Sequence, residues 1–321
     1  MCGLHDRAAH PLYSPTFSRS SIVLTRPPVK FIDRIARALP QIVVAPGFAA
    51  ILYFVYGFII WTGYISLTKS KMLPNYTLIG TRPYERLFQM DRWSVAIENL
   101  FIFGFLFVFV SVIVGCLLAV LLDQKIRAEG FIRTIYLYPM AISFIITGTA
   151  WKWIMNPSLG LEKVIRDWGW ESFRFGWTVD NNLAIYALVM AAVWQASGFA
   201  MALFLSALRS VDQDIIKAAS LDGASPWRIY LRIILPSMRP VFMSAMVILS
   251  HLAIKSFDLV VALTGGGPGY ASTLPANFMY EMTFRRNEIA VGAASAMVML
   301  ATVAAIMVPY LYSELRGKKH V

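Results

Sequence analysis

Three ionisable side chains interrupt one of the apolar stretches of this sequence: His251, Lys255 and Asp258. They are spaced four and three residues apart, so in a helix they would share one face. In lipid each is costly, roughly 2.5 to 3.5 kcal/mol for a charge at the bilayer centre. One interpretation is a wet cavity in which donors and acceptors contact a hydroxyl-rich ligand. The other, which we favour, is a Lys255–Asp258 pair that satisfies itself and braces the helix.

A second group of candidates lies in the preceding apolar stretch. Trp194, Gln195 and Ser197 place an aromatic ring beside an amide and a hydroxyl. This combination suits a pyranose, which has apolar faces and a polar rim. It equally suits ordinary helix packing, so these three residues are only candidates for a substrate pathway.

A third candidate is a short polar segment between two apolar stretches, which we place at residues 208–236. Asp212 can cap a helix there, Gly223 can end it, and Ser225 with Pro226 can begin another. A slim, alanine-rich helix pair of this kind is a rigid protrusion that another protein could grip. Spacing alone fits equally well with an amphipathic helix that rests on lipid headgroups.

Composition places all these residues in a membrane protein. The chain of 321 residues is 58% hydrophobic and 15% charged, with a mean hydropathy of +0.60. A soluble domain would carry more charge. The net charge of +11 does not indicate nucleic-acid binding, because the basic residues lie between apolar stretches and form no single stripe. Two cysteines, Cys2 and Cys116, imply no disulfide framework.

Six stretches are long enough to cross a bilayer, which takes roughly 20 apolar residues as helix. The sequence therefore predicts an all-α fold with six transmembrane helices. We place them at residues 42–67, 96–122, 134–155, 181–207, 237–263 and 289–312. The first stretch is too long for a signal-peptide core, so it is expected to stay as an anchor.

The distribution of basic residues predicts the orientation. With a cytoplasmic N-terminus, seventeen lysines and arginines lie inside and eleven outside. This excess favours both termini in the cytoplasm. The predicted domains are a cytoplasmic polar tail (1–41), a six-helix transmembrane domain (42–312) that includes the 208–236 loop, and a basic cytoplasmic tail (313–321).

The 208–236 segment resembles the signature loop of the membrane subunits of ATP-binding-cassette importers. That loop reads Glu-Ala-Ala, three residues, Gly, and a distal Ile-x-Leu-Pro. One position departs from it, because Lys217 replaces the usual glutamate. The residues that match are Ala218, Ala219, Asp222, Gly223, Ala224, Ile233, Leu235 and Pro236.

Further motifs are similar to the carbohydrate, maltose-type branch of that family, and to the first of its two non-identical permeases. Each motif is weak alone, but their order across residues 43–312 makes the resemblance specific. They are Glu98-Asn99, Arg133, Tyr136-Leu137, Pro139, Trp151-x-Trp153, Asn156-Pro157, Gly160, Phe257-Asp258, the run from Leu263 to Pro268, and Ser272-Thr273. The region from Leu274 to Tyr280, with Arg286-Asn287, looks closest to permeases for glucose and related hexoses.

The resemblance implies the partners of the chain. A second permease subunit would complete the pore, a dimer of ATPases would bind the cytoplasmic loop, and an extracytoplasmic sugar-binding protein would deliver substrate. ATP and Mg would be bound by the ATPases. The sequence agrees, since it contains no G-x-x-x-x-G-K-[ST] loop.

The function implied is sugar import across the bacterial inner membrane by alternating access. The substrate would be a hexose such as glucose or a small oligosaccharide, and a polyol such as glycerol phosphate stays open. This chain would be a transport subunit and not an enzyme, with no catalytic residue and no metal ligand of its own.

Two other classes of function fit less well. A stand-alone secondary transporter would need carboxylates buried in broken helices and an inverted repeat, whereas only Asp258 is expected to be buried and no repeat is evident. An intramembrane enzyme would need a metal cluster or an activated nucleophile beside His251, Lys255 and Asp258, and the sequence shows neither.

Overall fold

Helices make up the architecture of the computed structural model, which describes residues 31–124 and 127–317. Within these ranges the strand-like pairing is one isolated bridge between Thr68 and Leu78. The all-α class predicted from the sequence is therefore confirmed for the described residues. Residues 1–30, which include Cys2, and residues 318–321 belong to the two predicted tails and lie outside the described ranges.

The chain divides into two compact units at Gly57. The first unit contains helix α1 and a π-helical segment, Leu52–Tyr56. The second contains all the later elements. The helices are α1 (Phe31–Ile51), α2 (Gly57–Ile65), α3 (Arg82–Gln89), α4 (Asp91–Asp123), α5 (Glu129–Leu137), α6 (Phe144–Ile154), α7 (Leu161–Asp167), α8 (Ala184–Arg209), α9 (Gln213–Leu221), α10 (Pro226–Ile229), α11 (Leu235–Ser237), α12 (Arg239–Ile254), α13 (Asp258–Leu263), α14 (Pro275–Tyr280) and α15 (Ile289–Gly317).

Four helical segments are long and apolar enough to cross a membrane: Val43–Ile65, Asp91–Asp123, Ala184–Arg209 and Ile289–Tyr312. Two bent pairs, Glu129–Ala141 with Phe144–Ile154 and Pro226–Ser237 with Arg239–Ile254, raise the number to six if each is one span. By length and composition the described chain thus has four to six candidate spans. The six-span count and the cytoplasmic termini remain predictions.

The predicted third span, 134–155, is not one straight helix. A 3-10 turn at Tyr138–Ala141 follows α5, and the chain bends by 101° before α6. Pro139 stands at the start of that turn, and the Ser143 hydroxyl caps α6 by accepting from the backbone N–H of Ile146 at 3.4 Å. The prediction of a continuous helix was wrong because proline and an N-cap start a new helix here.

The predicted fifth span, 237–263, is also wrong as a single helix. Its first helix begins at Arg239 after a 64° bend and ends at Ile254, and α13 begins only at Asp258. Lys255, Ser256 and Phe257 form the break between α12 and α13. The ionisable residues at 251, 255 and 258 therefore belong to two helices and a break.

Helices α4 and α8 form the centre of the second unit. Gly115 on α4 lets the two backbones approach, since a Cβ there would lie 2.5 Å from the Cβ of Ala200. Along the same α4 face Phe103 and Phe107 are buried and stack with centroids 5.5 Å apart. Small residues at such contacts are typical of helix pairs that pack in membranes.

The glycine-rich run after α13 is a turn, as its sequence indicates. Gly265, Gly266 and Gly269 have φ angles of +67°, +90° and +58°, which side-chain-bearing residues seldom adopt. The Ser272 hydroxyl donates to the Gly267 carbonyl at 2.7 Å, and the Thr273 hydroxyl donates to the Gly266 carbonyl at 3.0 Å. These bonds hold the turn against the start of α14.

Candidate functional site

The 208–236 loop is a helical hairpin with a defined break. The Asp212 side chain caps α9 by accepting from the Asp214 N–H at 2.9 Å. At the other end the Gly223 N–H donates to the Ser220 carbonyl at 3.1 Å and the Ala224 N–H to the Ala219 carbonyl at 3.0 Å. This pair of bonds, with Gly223 at φ +79°, is a Schellman C-cap. The structure thus confirms the cap at Asp212 and the break at Gly223.

The loop residues that match the signature divide into an inward and an outward set. Ala219, Ala224 and Ile233 are partly buried and pack against the cluster around Phe204. Lys217, Ala218, Asp222 and Gly223 are exposed, and Leu235 and Pro236 are intermediate. These inward residues therefore anchor the hairpin, and its outer surface is not covered by any of the residues that the structure describes.

Two large apolar side chains on that outer surface were not singled out from the sequence. Leu221 is 88% exposed at the end of α9, and Trp227 is 73% exposed on α10. Exposed apolar side chains on a protrusion fit contact with another protein or with lipid headgroups. The sequence feature that could have identified these two residues is their position on either side of the Gly223 break.

Lys217, the residue that departs from the signature, has a partner within its own helix. Its Nζ lies 3.0 Å from an Asp214 carboxylate oxygen, three residues earlier, and both side chains are largely exposed. Such an exposed pair contributes little to stability, about 0.3 to 0.5 kcal/mol. The lysine charge is therefore locally balanced and available to an approaching surface.

Hydrogen bonds of the Tyr230 hydroxyl connect the hairpin to the end of helix α4. The Tyr230 hydroxyl, just after α10, donates to an Asp123 carboxylate oxygen at 3.1 Å and accepts from the Gln124 amide at 3.3 Å. Arg209 at the end of α8 pairs with Glu129 at the start of α5. The Tyr230 contacts thus join the hairpin to the end of α4, and the Arg209–Glu129 ion pair joins the end of α8 to α5.

The proposed brace between Lys255 and Asp258 is absent from the described part of the chain. No ion pair within 4.0 Å joins them, and both side chains are exposed, as is His251. The expectation that Asp258 is buried was also wrong. Lys255 lies at the C-terminal end of α12 and Asp258 is the first residue of α13, so each charge complements a helix dipole.

Lys255 and Asp258 instead share a recess at the break. A cavity of about 140 Å³ is lined by both residues together with Phe144, Leu252, Ser256, Phe257 and Leu259. Two charges, a hydroxyl and aromatic rings thus face one small volume. His251 does not line it.

The three candidate residues on α8, Trp194, Gln195 and Ser197, do not all line the same cavity. Trp194 and Ser197 line a mainly apolar groove of about 640 Å³. There the Trp194 and Trp151 rings meet edge-to-face with their centroids 6.0 Å apart. Gln195 does not line this groove, because it is buried and donates its amide to the Ile142 carbonyl at 2.6 Å. Its nitrogen therefore satisfies a carbonyl at the bend between α5 and α6.

Comparisons with known proteins match this chain to membrane components of transport systems. A family model described as the binding-protein-dependent transport system inner membrane component matches residues 111–317. A probable ABC transporter permease protein of Pyrococcus horikoshii is 36% identical over 285 residues, which cover 88% of this chain and 98% of the relative. The xylose/arabinose import permease of Haloferax volcanii is 34% identical over 79% of this chain and 81% of its own length.

A solved structure shares the fold. The chain aligns with a subunit of a bacterial alginate ABC transporter, solved with an alginate-pentasaccharide-bound periplasmic protein, at a TM-score of 0.77. The alignment covers 89% of this chain and 97% of that one at 20% identity.

Proposed function

Because this chain belongs to the family of binding-protein-dependent transport system inner membrane components, we propose that it is a membrane subunit of an ATP-driven sugar importer. Its relatives are transport subunits, so ATP hydrolysis is assigned to partner chains that hold ATP and Mg. The importer also needs a second permease subunit and an extracytoplasmic sugar-binding protein. A stand-alone secondary transporter is the alternative, and family membership does not favour it.

The observation that carries this proposal is the hairpin around Gly223. A helix that is capped at both ends and anchored by Ala219 and Ala224 presents Leu221 and Trp227 to solvent. An ATPase cleft that receives this protrusion would bury both side chains, at roughly 1.5 to 3 kcal/mol each. Closure of the ATPases on ATP would then push the hairpin and switch the pore between inward and outward access.

The substrate we propose is a sugar, with a hexose such as glucose first and a small oligosaccharide second. The Haloferax relative is named for pentose import, which supports the class but not the individual sugar. We place substrate contacts at the recess of Lys255 and Asp258, where two charges without an ion-pair partner among the described residues can bind hydroxyl groups. Trp194 and Ser197 remain candidates for a second contact, whereas Gln195 acts as a clamp on the bend at Ile142.

Deletion of the gene in its native host tests the function directly. We expect uptake of radiolabelled glucose, scanned beside xylose, maltose and glycerol 3-phosphate, to fall to background for at least one sugar. Uptake should return when the intact gene is restored. Deleting the partner ATPase genes must have the same effect, because sugar uptake that persists without them would support the secondary transporter instead.

The Asp258→Asn variant separates a transport role from a structural one. Since Asp258 has no ion pair with Lys255, we expect an unchanged yield of assembled complex and a transport rate lowered about tenfold, as for loss of about 1.4 kcal/mol of charge-assisted binding. The matched control is Asp91→Asn, because Asp91 is likewise the exposed first residue of a helix. A reduced yield of complex with normal transport per complex would restore the structural interpretation.

A further inference from the structure

Helix α7 and its flanking turns form a folded lobe, residues 156–177, between the candidate spans that contain α6 and α8. The Asn156 side-chain oxygen begins the lobe by accepting from the backbone N–H groups two and three residues later, at 2.9 and 3.0 Å. Gly160 places the start of α7 directly against the end of α6, because a Cβ there would lie 2.3 Å from the Ile154 carbonyl oxygen. The position of α7 is therefore fixed relative to the end of α6.

A buried carboxylate, that of Glu162, holds the inner side of α7 to the rest of the lobe. The Glu162 side chain is 5% exposed, and its Oε2 accepts from the backbone N–H groups of Phe175 and Gly176, both at 2.8 Å. Arg166 and Arg174 lie 3.2 and 3.7 Å from its Oε1. A buried charge is stable when it is paired and hydrogen-bonded in this way. One polar side of α7 is thus turned into the protein.

The exposed side of α7 has an apolar edge and a charged edge. Leu161, Val164 and Trp168 are all exposed, and their spacing of three and four residues places them on one helix face. Lys163 and Asp167 lie on the neighbouring edge and form an exposed ion pair, with Nζ and Oδ2 2.8 Å apart. An apolar edge beside a charged edge is typical of a helix that lies in the interface of a bilayer.

Exposed apolar side chains also occupy the segment that precedes α7. Ile146 and Trp153 are exposed on α6, and their spacing of seven residues places them on one face. Leu159, in the turn between α6 and α7, is exposed as well. Helix α6 belongs to a bent pair that is apolar enough to span a membrane. Because α7 begins against the end of α6, its apolar edge lies next to the boundary of that span.

We propose that α7 lies in the headgroup layer of the membrane, with its apolar edge against lipid acyl chains and its Lys163–Asp167 pair toward water. Tryptophan, here Trp168, is enriched at this depth because its ring is apolar and its N–H is polar. A soluble protein that binds and leaves fits the apolar edge less well, since such interfaces are only about as apolar as the rest of a protein surface. Contact with lipid at this edge sets the depth of the α6 end in the bilayer.

Nitroxide spin labels on the two edges of α7 test this depth. In a cysteine-free complex, Val164→Cys and Trp168→Cys carry labels on the apolar edge. Lys163→Cys and Asp167→Cys are the matched controls, since both positions are exposed on the charged edge of the same helix. Collision rates are measured in lipid nanodiscs with oxygen, which dissolves in lipid, and with a polar nickel chelate, which stays in water. We expect the ratio of oxygen to nickel collision rates to be about fivefold higher on the apolar edge, which corresponds to about 1 kcal/mol of partitioning.

Other surroundings of the apolar edge give different collision rates. Equal ratios on the two edges would place both in water and overturn the proposal. Low collision rates with both reagents at the two apolar positions would show that protein covers them, such as a second permease subunit, and would also overturn it. If nickel collisions there are frequent and fall when the sugar-loaded binding protein is added, the edge is a docking surface for that protein and not for lipid.

Discussion

Replacing Gly223 by proline is expected to abolish substrate-stimulated ATP hydrolysis by the assembled importer. Gly223 has φ +79°, whereas proline is confined to about −65°, so the Schellman C-cap cannot form. Proline also removes the N–H that bonds the Ser220 carbonyl. Both losses redirect α10 relative to α9 and so change the position of Trp227 relative to Leu221. The measurement is phosphate release in nanodiscs with the sugar-loaded binding protein.

The matched control for this variant is Gly169→Pro. Gly169 ends α7 in the same way, with φ +106°, its N–H bonded to the Arg166 carbonyl, and no atom within 4 Å of an added Cβ. It lies in a different loop, so stimulation of ATP hydrolysis should be retained. Gly223→Ala, which adds about 1 to 2 kcal/mol of strain but keeps the N–H, should reduce stimulation only in part. Full stimulation in a well-assembled Gly223→Pro complex would contradict the coupling role.

Adding one methyl group at Gly198 is expected to prevent most of the complex from assembling. A Cβ at this position of α8 would lie 2.0 Å from the Tyr136 carbonyl oxygen and 2.9 Å from its carbon. Backbone cannot rotate away as a side chain can, so α5 and its 3-10 turn would have to move. We expect Gly198→Ala to cost more than the 1 to 3 kcal/mol of ordinary overpacking. Yield by size-exclusion chromatography and thermal stability of the complex report the loss.

Gly104→Ala is the control, because it makes the same substitution within the membrane helix α4. Its added Cβ would meet the Ala253 Cβ at 3.8 Å, an ordinary contact, and alanine favours helix over glycine by about 1 kcal/mol. Yield should therefore be equal to that of the unmodified chain or higher. If the yield of the Gly198→Ala complex equalled that of the Gly104→Ala complex, the close approach of α5 to α8 would be contradicted.

The 208–236 hairpin was predictable because its signals are local. Asp212 and Gly223 act on backbone groups within a few residues, so their types reveal the cap and the break. The exposure of Leu221 and Trp227 was not predictable in the same way. It depends on which side of the hairpin meets the cluster around Phe204, and that is a tertiary contact.

The break after Ile254 could not be read from the sequence. Lys255, Ser256 and Phe257 include neither glycine nor proline, and the spacing of the charges fits a continuous helix. The break is followed by a tertiary contact that the sequence does not reveal. Gly148 on α6 approaches α13 so closely that a Cβ there would lie 2.7 Å from the Ala262 Cβ. Helical spacing predicted a Lys255–Asp258 ion pair, whereas the structure has two separate charges at a recess.

The bond between Tyr230 and Asp123 has a consequence for sequence drift in this loop. About twenty residues separate the end of α8 from the phenol, and the phenol must return to the end of α4. Inserting or deleting one residue between Arg209 and Tyr230 would rotate that ring away from its carboxylate. The contact therefore constrains the length of this segment more than the identity of its solvent-facing side chains.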